Sequence, residues 1–225
     1  MHEYPLLPVI RSIVRTLTRF TVEGAEHVPE EGGLLMTSNH RSRLDTPLLM
    51  TATHRNDLVA IVAKKYQKKA IFKWILEKIG TMVWMDRDTT DFSAVRQSLE
   101  QLRMGKIVGI APEGTRSRDS IGMLEGKQGA AVLAARASVP ILPIGIIGSD
   151  KINHYWKRLK RPPITLRVGK PYTLPEIDMN DRQAWLKKYT DEIMCQIAAL
   201  LPPEYRGFYA DHPRLTALLS EPPDE

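Results

Sequence analysis

The stretch Lys106-Ile107-Val108-Gly109-Ile110-Ala111, running straight into Pro112-Glu113-Gly114-Thr115-Arg116-Ser117, decides the fold. Its first half is a short apolar run that reads as a buried strand, and its second half is a polar loop punctuated by proline and glycine. Upstream, Asp91 to Met104 places Val95, Leu99 and Leu102 at the core spacing of a helix. Downstream, Gly129 to Ala137 reads as a small-residue helix. Val139 to Ile147 then reads as an apolar strand interrupted by Pro140 and Pro143.

The alternation continues in both directions. Leu34 to Ser38, Leu58 to Ala63, Thr81 to Met85 and Ile164 to Val168 read as strands. Tyr66 to Ile79 is helical and basic on one side, and Pro47 sits near a helix start, where a missing N–H costs nothing. Trp185, Tyr189, Ile193, Ile197 and Leu201 form the stripe of a last helix, stopped by Pro202 and Pro203. Strands alternating with helices predict an α/β fold, a single domain with a central, mostly buried mixed β-sheet flanked by helices. The length of 225 residues, with 43% hydrophobic and 26% charged residues, suits one full-sized domain and excludes wholesale disorder. The single cysteine, Cys195, excludes an internal disulfide and any multi-cysteine metal site.

At the N-terminus, Leu6, Leu7, Val9, Ile10, Ile13, Val14, Leu17 and Phe20 form a helical stripe beside a basic row of Arg11, Arg15 and Arg19. An interfacial helix has this pattern, and so does a helix packed on a core. The arginines interrupt any secretory signal, and the sequence has no apolar run of the ~18–20 residues that would span a bilayer. The net charge of +6 is uneven. Lys64, Lys65, Lys68, Lys69 and Lys73 form one basic cluster, with Tyr66, Phe72 and Trp74 among them. Lys151, Lys157, Arg158, Lys160, Arg161, Arg167 and Lys170 form another, with Tyr155 and Trp156. Such clusters suit an anionic surface, whether phospholipid or nucleic acid, and equally a solvated face of a basic protein.

Walker, dinucleotide-binding, HExxH and GxSxG motifs are absent from the sequence. What stands out is Asn39-His40-Arg41-Ser42-Arg43-Leu44-Asp45. On one continuous helix, His40 and Asp45 would point ~140° apart. At a strand–turn–helix junction the carboxylate can return to the imidazole, fix its tautomer and leave the other nitrogen as a base. The same pair also fits a capping, surface role. In Pro112 to Ser117, glycine admits close approach of a ligand and Arg116 offers a fork to phosphate, with Lys127 a further cation; a salt bridge from Arg116 to Glu113 is the alternative. Asp86-Arg87-Asp88 puts another cation at a strand end, or is simply a charged turn.

In order, Asn39-His40-x4-Asp45, Gly80 through Arg87, Pro112 to Ser117 and Val139 to Pro143 resemble the glycerolipid acyltransferases, with bacterial 1-acylglycerol-3-phosphate acyltransferases the nearest likeness. The resemblance covers roughly residues 36–145. It implies transfer of a fatty acyl group from an acyl thioester, acyl-CoA or acyl carrier protein, to the free hydroxyl of a lysophospholipid. It implies His40 as general base and Asp45 as its orienting partner, and it assigns Arg87, Glu113, Gly114, Thr115 and Arg116 to acceptor and phosphate binding. No metal is expected, because the histidines show no ligand-like pairing, and no cofactor is expected beyond the thioester co-substrate. Family members often begin with long hydrophobic helices, whereas this sequence offers one short basic segment. The resulting expectation is an amphipathic N-terminal helix over 1–22, a catalytic domain over 23–203 and a C-terminal extension over 204–225, loose from Glu221. Peripheral attachment to the inner face of the cell membrane, an anionic surface, is expected through the N-terminal helix and Lys64 to Trp74. An acyltransferase for another acceptor, such as glycerol 3-phosphate, a non-catalytic lipid-binding module and a nucleic-acid binder using residues 151–171 are the alternatives; no nucleic-acid motif supports the last.

Overall fold

The computed structural model describes residues 4–86, 91–117 and 122–221. Its seven strands are β1 (Arg19–Glu23), β2 (Leu34–Ser38), β3 (Leu58–Ala63), β4 (Thr81–Met85), β5 (Ile107–Ile110), β6 (Ile141–Ile147) and β7 (Pro163–Val168). They form one sheet in the order β1-β7-β6-β2-β5-β3-β4. Every pairing is parallel except that of β6 with β7. The expected mixed, covered sheet is therefore what the chain builds.

Period-two side-chain alternation divides the apolar residues between two layers. On β2, which is buried throughout, Leu34 and Met36 face one layer and Leu35 the other. Helices α4 (Phe92–Arg103), α5 (Gly129–Ala137), α7 (Arg182–Ala199) and α8 (Pro213–Ser220) cover Leu35, Val59 and Val108 on one side. Helices α1 (Leu7–Leu17), α2 (Asp45–Leu49) and α3 (Ala70–Ile79) cover Leu34, Met36 and Ala60 on the other, with the short α6 (Ile152–Trp156) at that layer's margin. Burying a leucine of this kind contributes ~2 kcal/mol, so Leu34 and Leu35 hold the two layers on a shared strand.

Parallel strands send their C-terminal ends to one edge, where α/β proteins place ligands. The loops after β2, β3, β5 and β6 all emerge there, bringing His40, Lys64, Pro112 and Asp150 to one side of the molecule.

Three sequence expectations are corrected. Helix α1 stops at Leu17, and Arg19 and Phe20 instead belong to β1, which pairs with β7. Thr18 breaks the helix by adopting an extended conformation, and five residues alternating between exposed and half-buried then suit an edge strand. Arg11 does not join an outward basic row: its guanidinium turns inward and donates to the carbonyls of Met50, Thr53 and Arg55 and to Asn56 Oδ1. The segment after Pro203 does not stand apart from the domain as an extension, because Tyr205, Tyr209 and Leu215 are buried in the α7–α8 layer. Gly122 and Gly207, at φ 97° and 49°, let two backbones approach without intervening side chains, and Met123 exchanges main-chain hydrogen bonds with Tyr205 and Phe208. Residues 222–225 lie outside the described residues.

Candidate active site

Where β2 ends, Asn39 extends its pairing with β6 by side chain. Its carboxamide donates to the Ile146 carbonyl at 2.9 Å and accepts from the Ile146 N–H at 2.7 Å. The chain is thereby held at the sheet edge until it turns at His40. The main chain of His40 is fastened on both sides to the Pro112–Ser117 loop. Its N–H donates to Glu113 Oε1 at 2.8 Å, and its carbonyl accepts from the Ser117 N–H at 3.0 Å.

Asp45 opens α2 and is buried. Its Oδ2 lies 2.8 Å from His40 Nδ1 and accepts the N–H groups of Arg41 and Ser42, each also at 2.8 Å. Oδ2 already accepts two main-chain N–H groups and remains an acceptor toward the imidazole, which puts the ring proton on Nδ1. The remaining nitrogen, Nε2, is then a lone-pair base on a side chain that is 16% exposed. The turn has brought together the two residues that helical geometry would have separated.

Glu113 behaves differently from a phosphate ligand. Its Oε2 accepts the Leu124 N–H at 2.9 Å, so one carboxylate ties the His40 turn, its own loop and the 122–127 segment together. Burial pushes its carboxyl up to about 7, against the two N–H groups that favour the charged form; Asp45 raises it further and Arg41 opposes. The salt bridge to Arg116 considered from the sequence is not its role.

Gly114 has φ 69°, and a Cβ there would press on the Lys127 side chain. The Lys127 N–H donates to the Pro112 carbonyl, so this exposed cation lies across the loop. Thr115 is exposed, and the half-buried Arg116 donates to the Tyr66 hydroxyl at 3.2 Å. Arg87 lies outside the described residues. In the first basic cluster, Lys64 pairs with Asp91 at 2.8 Å and Lys73 with Glu77 at 3.7 Å.

One support was not read from the sequence. Arg41 lies 4.9 Å over the Tyr205 ring and 3.6 Å from Asp150 Oδ2, while the Tyr205 hydroxyl donates to Asp150 Oδ1 at 2.8 Å and accepts from the Gly148 N–H. The only sequence signals were an arginine beside the histidine and a distant aromatic, with nothing to pair them. Elsewhere, Cys195 Sγ lies 3.4 Å from His212 Nδ1, and His212 Nε2 lies 3.8 Å from Asp191. That thiol is fully buried and pushed up to about 12 by burial, which leaves it inert as a nucleophile. Among the described residues, no group of His, Cys, Asp and Glu side chains is placed to hold a metal ion.

A histidine–aspartate pair at the C-terminal edge of an α/β sheet, tied to a glycine–arginine loop, is an arrangement that can activate a hydroxyl. The acyltransferase family model matches residues 19–147, and the chain belongs to that family. It is 33% identical over 156 residues to a probable 1-acyl-sn-glycerol-3-phosphate acyltransferase of Mycoplasma pneumoniae, covering 65% of this chain and 56% of that protein. It is 26% identical to a 1-acyl-sn-glycerol-3-phosphate acyltransferase of Bacillus subtilis, over 67% of this chain and 72% of that one. The first of these matches spans little more than half the length of its relative. The crystal structure of a 1-acyl-sn-glycerophosphate acyltransferase from Thermotoga maritima shares the fold, with TM-score 0.60, 23% identity and coverage of 84% of this chain and 76% of that one.

Proposed function

We propose that the chain transfers a fatty acyl group from an acyl thioester to the free sn-2 hydroxyl of 1-acylglycerol 3-phosphate, giving phosphatidic acid. The observation that carries this reading is the 2.8 Å contact between His40 Nδ1 and Asp45 Oδ2, which leaves Nε2 as the base. The acceptor hydroxyl gives its proton to Nε2 as its oxygen forms a bond to the thioester carbonyl carbon. The tetrahedral oxyanion then collapses, the C–S bond breaks, and the thiolate leaves with the proton that Nε2 returns. Asp45 stabilises the imidazolium between these steps. The guanidinium of Arg116 suits the acceptor phosphate, with Lys127 adding a second positive charge, so the hydroxyl is positioned rather than captured by chance.

The family relatives whose names specify this acceptor support it for this chain. Both acyl-CoA and acyl carrier protein are chemically suitable donors. The reaction belongs at a membrane surface, because the acceptor is a lipid; we place it at the inner face of the cell membrane, reached peripherally. Incubating the purified chain with lysophosphatidic acid and each donor in turn, with the lipid product identified by mass, tests the proposal. Phosphatidic acid with stoichiometric thiol release is expected. Acylation of glycerol 3-phosphate alone would overturn the acceptor, and absence of thiol release with every donor would overturn the catalysis.

A further inference from the structure

We infer that the turn Trp156 to Arg161, joined to the end of helix α1, is an insertion face for an anionic lipid bilayer, and this rests on the lipid-acceptor reading above. Helix α1 buries Leu7 and leaves Val9, Ile13 and Leu17, spaced four apart, 49%, 44% and 47% exposed. These three residues form one apolar stripe on the outer side of the helix. At its end the stripe meets a second element. The Trp156 indole N–H donates to the Leu17 carbonyl at 3.3 Å, and the Arg161 guanidinium donates to the carbonyls of Arg15 and Thr18. The helix end and the turn are thus one rigid unit, although residues 17 and 156 lie far apart in sequence.

Within that turn, Leu159 is 97% exposed, the most exposed large apolar side chain among the described residues. Its φ is 53°, in the left-handed region that leucine rarely adopts. The Leu159 and Lys160 N–H groups donate to the Trp156 and Tyr155 carbonyls, which closes the helix at a residue where glycine would ordinarily stand. Nothing in the fold is gained by a leucine there. A bilayer accounts for it.

Charge selects the kind of surface. Arg15, Lys157, Arg158 and Lys160 are exposed around the apolar residues, and neither α1 nor residues 151–171 contain an acidic side chain. An apolar tip rimmed by cations, with a tryptophan at its shoulder, fits headgroups of negative charge over acyl chains. A polynucleotide would satisfy the cations but not Leu159, Leu17, Ile13 and Val9. Since α1 also packs on α2, through Arg11 and the Met50 carbonyl, this face adjoins the helix that begins at Asp45.

Flotation of the full chain with vesicles tests this without any turnover. Vesicles of phosphatidylglycerol and phosphatidylcholine in equal parts should carry the chain up, and pure phosphatidylcholine should not. Leu159→Gly removes the tip while relieving the left-handed backbone, so its thermal midpoint should be equal or higher and its vesicle affinity lower by about tenfold. Met179→Gly removes another highly exposed apolar side chain, 76% exposed, from an acidic stretch and should leave vesicle binding unchanged. Equal binding to neutral vesicles, unaltered binding by Leu159→Gly, or displacement of the chain from vesicles by an oligonucleotide that binds Leu159→Gly equally well would each overturn the inference. Leu159-dependent flotation of a chain that forms no phosphatidic acid would instead sustain the docking face and remove the proposed activity.

Discussion

The carboxylate of Glu113 accepts the main-chain N–H of His40 at 2.8 Å, across a sequence separation of 73 residues. With Ser117 bonded to the His40 carbonyl, the proposed general base sits on a peptide whose two ends are fixed by the loop that carries Arg116. The base and the cation are therefore one construction, and distortion of either loop displaces both.

Glu113 makes stability depend on pH. Its folded value of about 7 lies above its ordinary 4.5, so the folded chain binds this proton more tightly than the unfolded one. The stabilisation is fully present below about 4.5 and is lost as pH rises through about 7, with a full span on the order of 3 kcal/mol. Glu113→Gln should flatten the thermal midpoint against pH across that window. It should also lower kcat about tenfold, since the amide cannot accept both N–H groups. Parallel midpoint curves for variant and parent would show that the group does not titrate there.

His40→Ala should lower kcat by ~10²–10⁴ with an unchanged circular dichroism spectrum, because 16% of the side chain is exposed and the backbone bonds remain. Asp45→Asn should lower kcat at least as steeply as it lowers stability. Its effect should include a lost preference of the imidazole for the Nδ1–H tautomer, readable in nitrogen chemical shifts.

Arg116→Ala should raise KM for the phosphorylated acceptor roughly 10- to 100-fold while changing kcat far less. Steady-state kinetics at saturating donor separate the two. A fall confined to kcat would move Arg116 from binding to chemistry.

Tyr205→Phe keeps the ring beneath Arg41 and deletes the hydroxyl that bridges Gly148 and Asp150. A loss of about 1–2 kcal/mol is expected, seen as a thermal midpoint lower by roughly 3–6 °C. An unchanged midpoint would show that the bridge contributes nothing to the packing of the C-terminal segment.

Much of the fold was legible in the sequence because its buried strands are written in short apolar runs, such as Leu34 to Ser38 and Ile107 to Ile110. The edge strand Arg19–Glu23 was not, since a half-exposed strand adjoining an amphipathic helix continues the helix's apolar spacing through Phe20. His40 and Asp45 were legible as a pair because the turn between them is polar and short. The role of Glu113 was not, because its partners are main-chain N–H groups, which leave no mark on residue identity. The same holds for Arg11, whose carbonyl acceptors at Met50, Thr53 and Arg55 turned an apparent surface cation into a half-buried brace.

The pairing of β1 with β7 has a temporal consequence. Phe20 finds its neighbour Ile164 only after most of the chain has left the ribosome, so the strand made first must wait unpaired until a late one arrives. During that interval the exposed Val9, Ile13 and Leu17 are tethered to an unfinished edge, which makes early synthesis the period when this chain is most vulnerable to aggregation and to capture by chaperones.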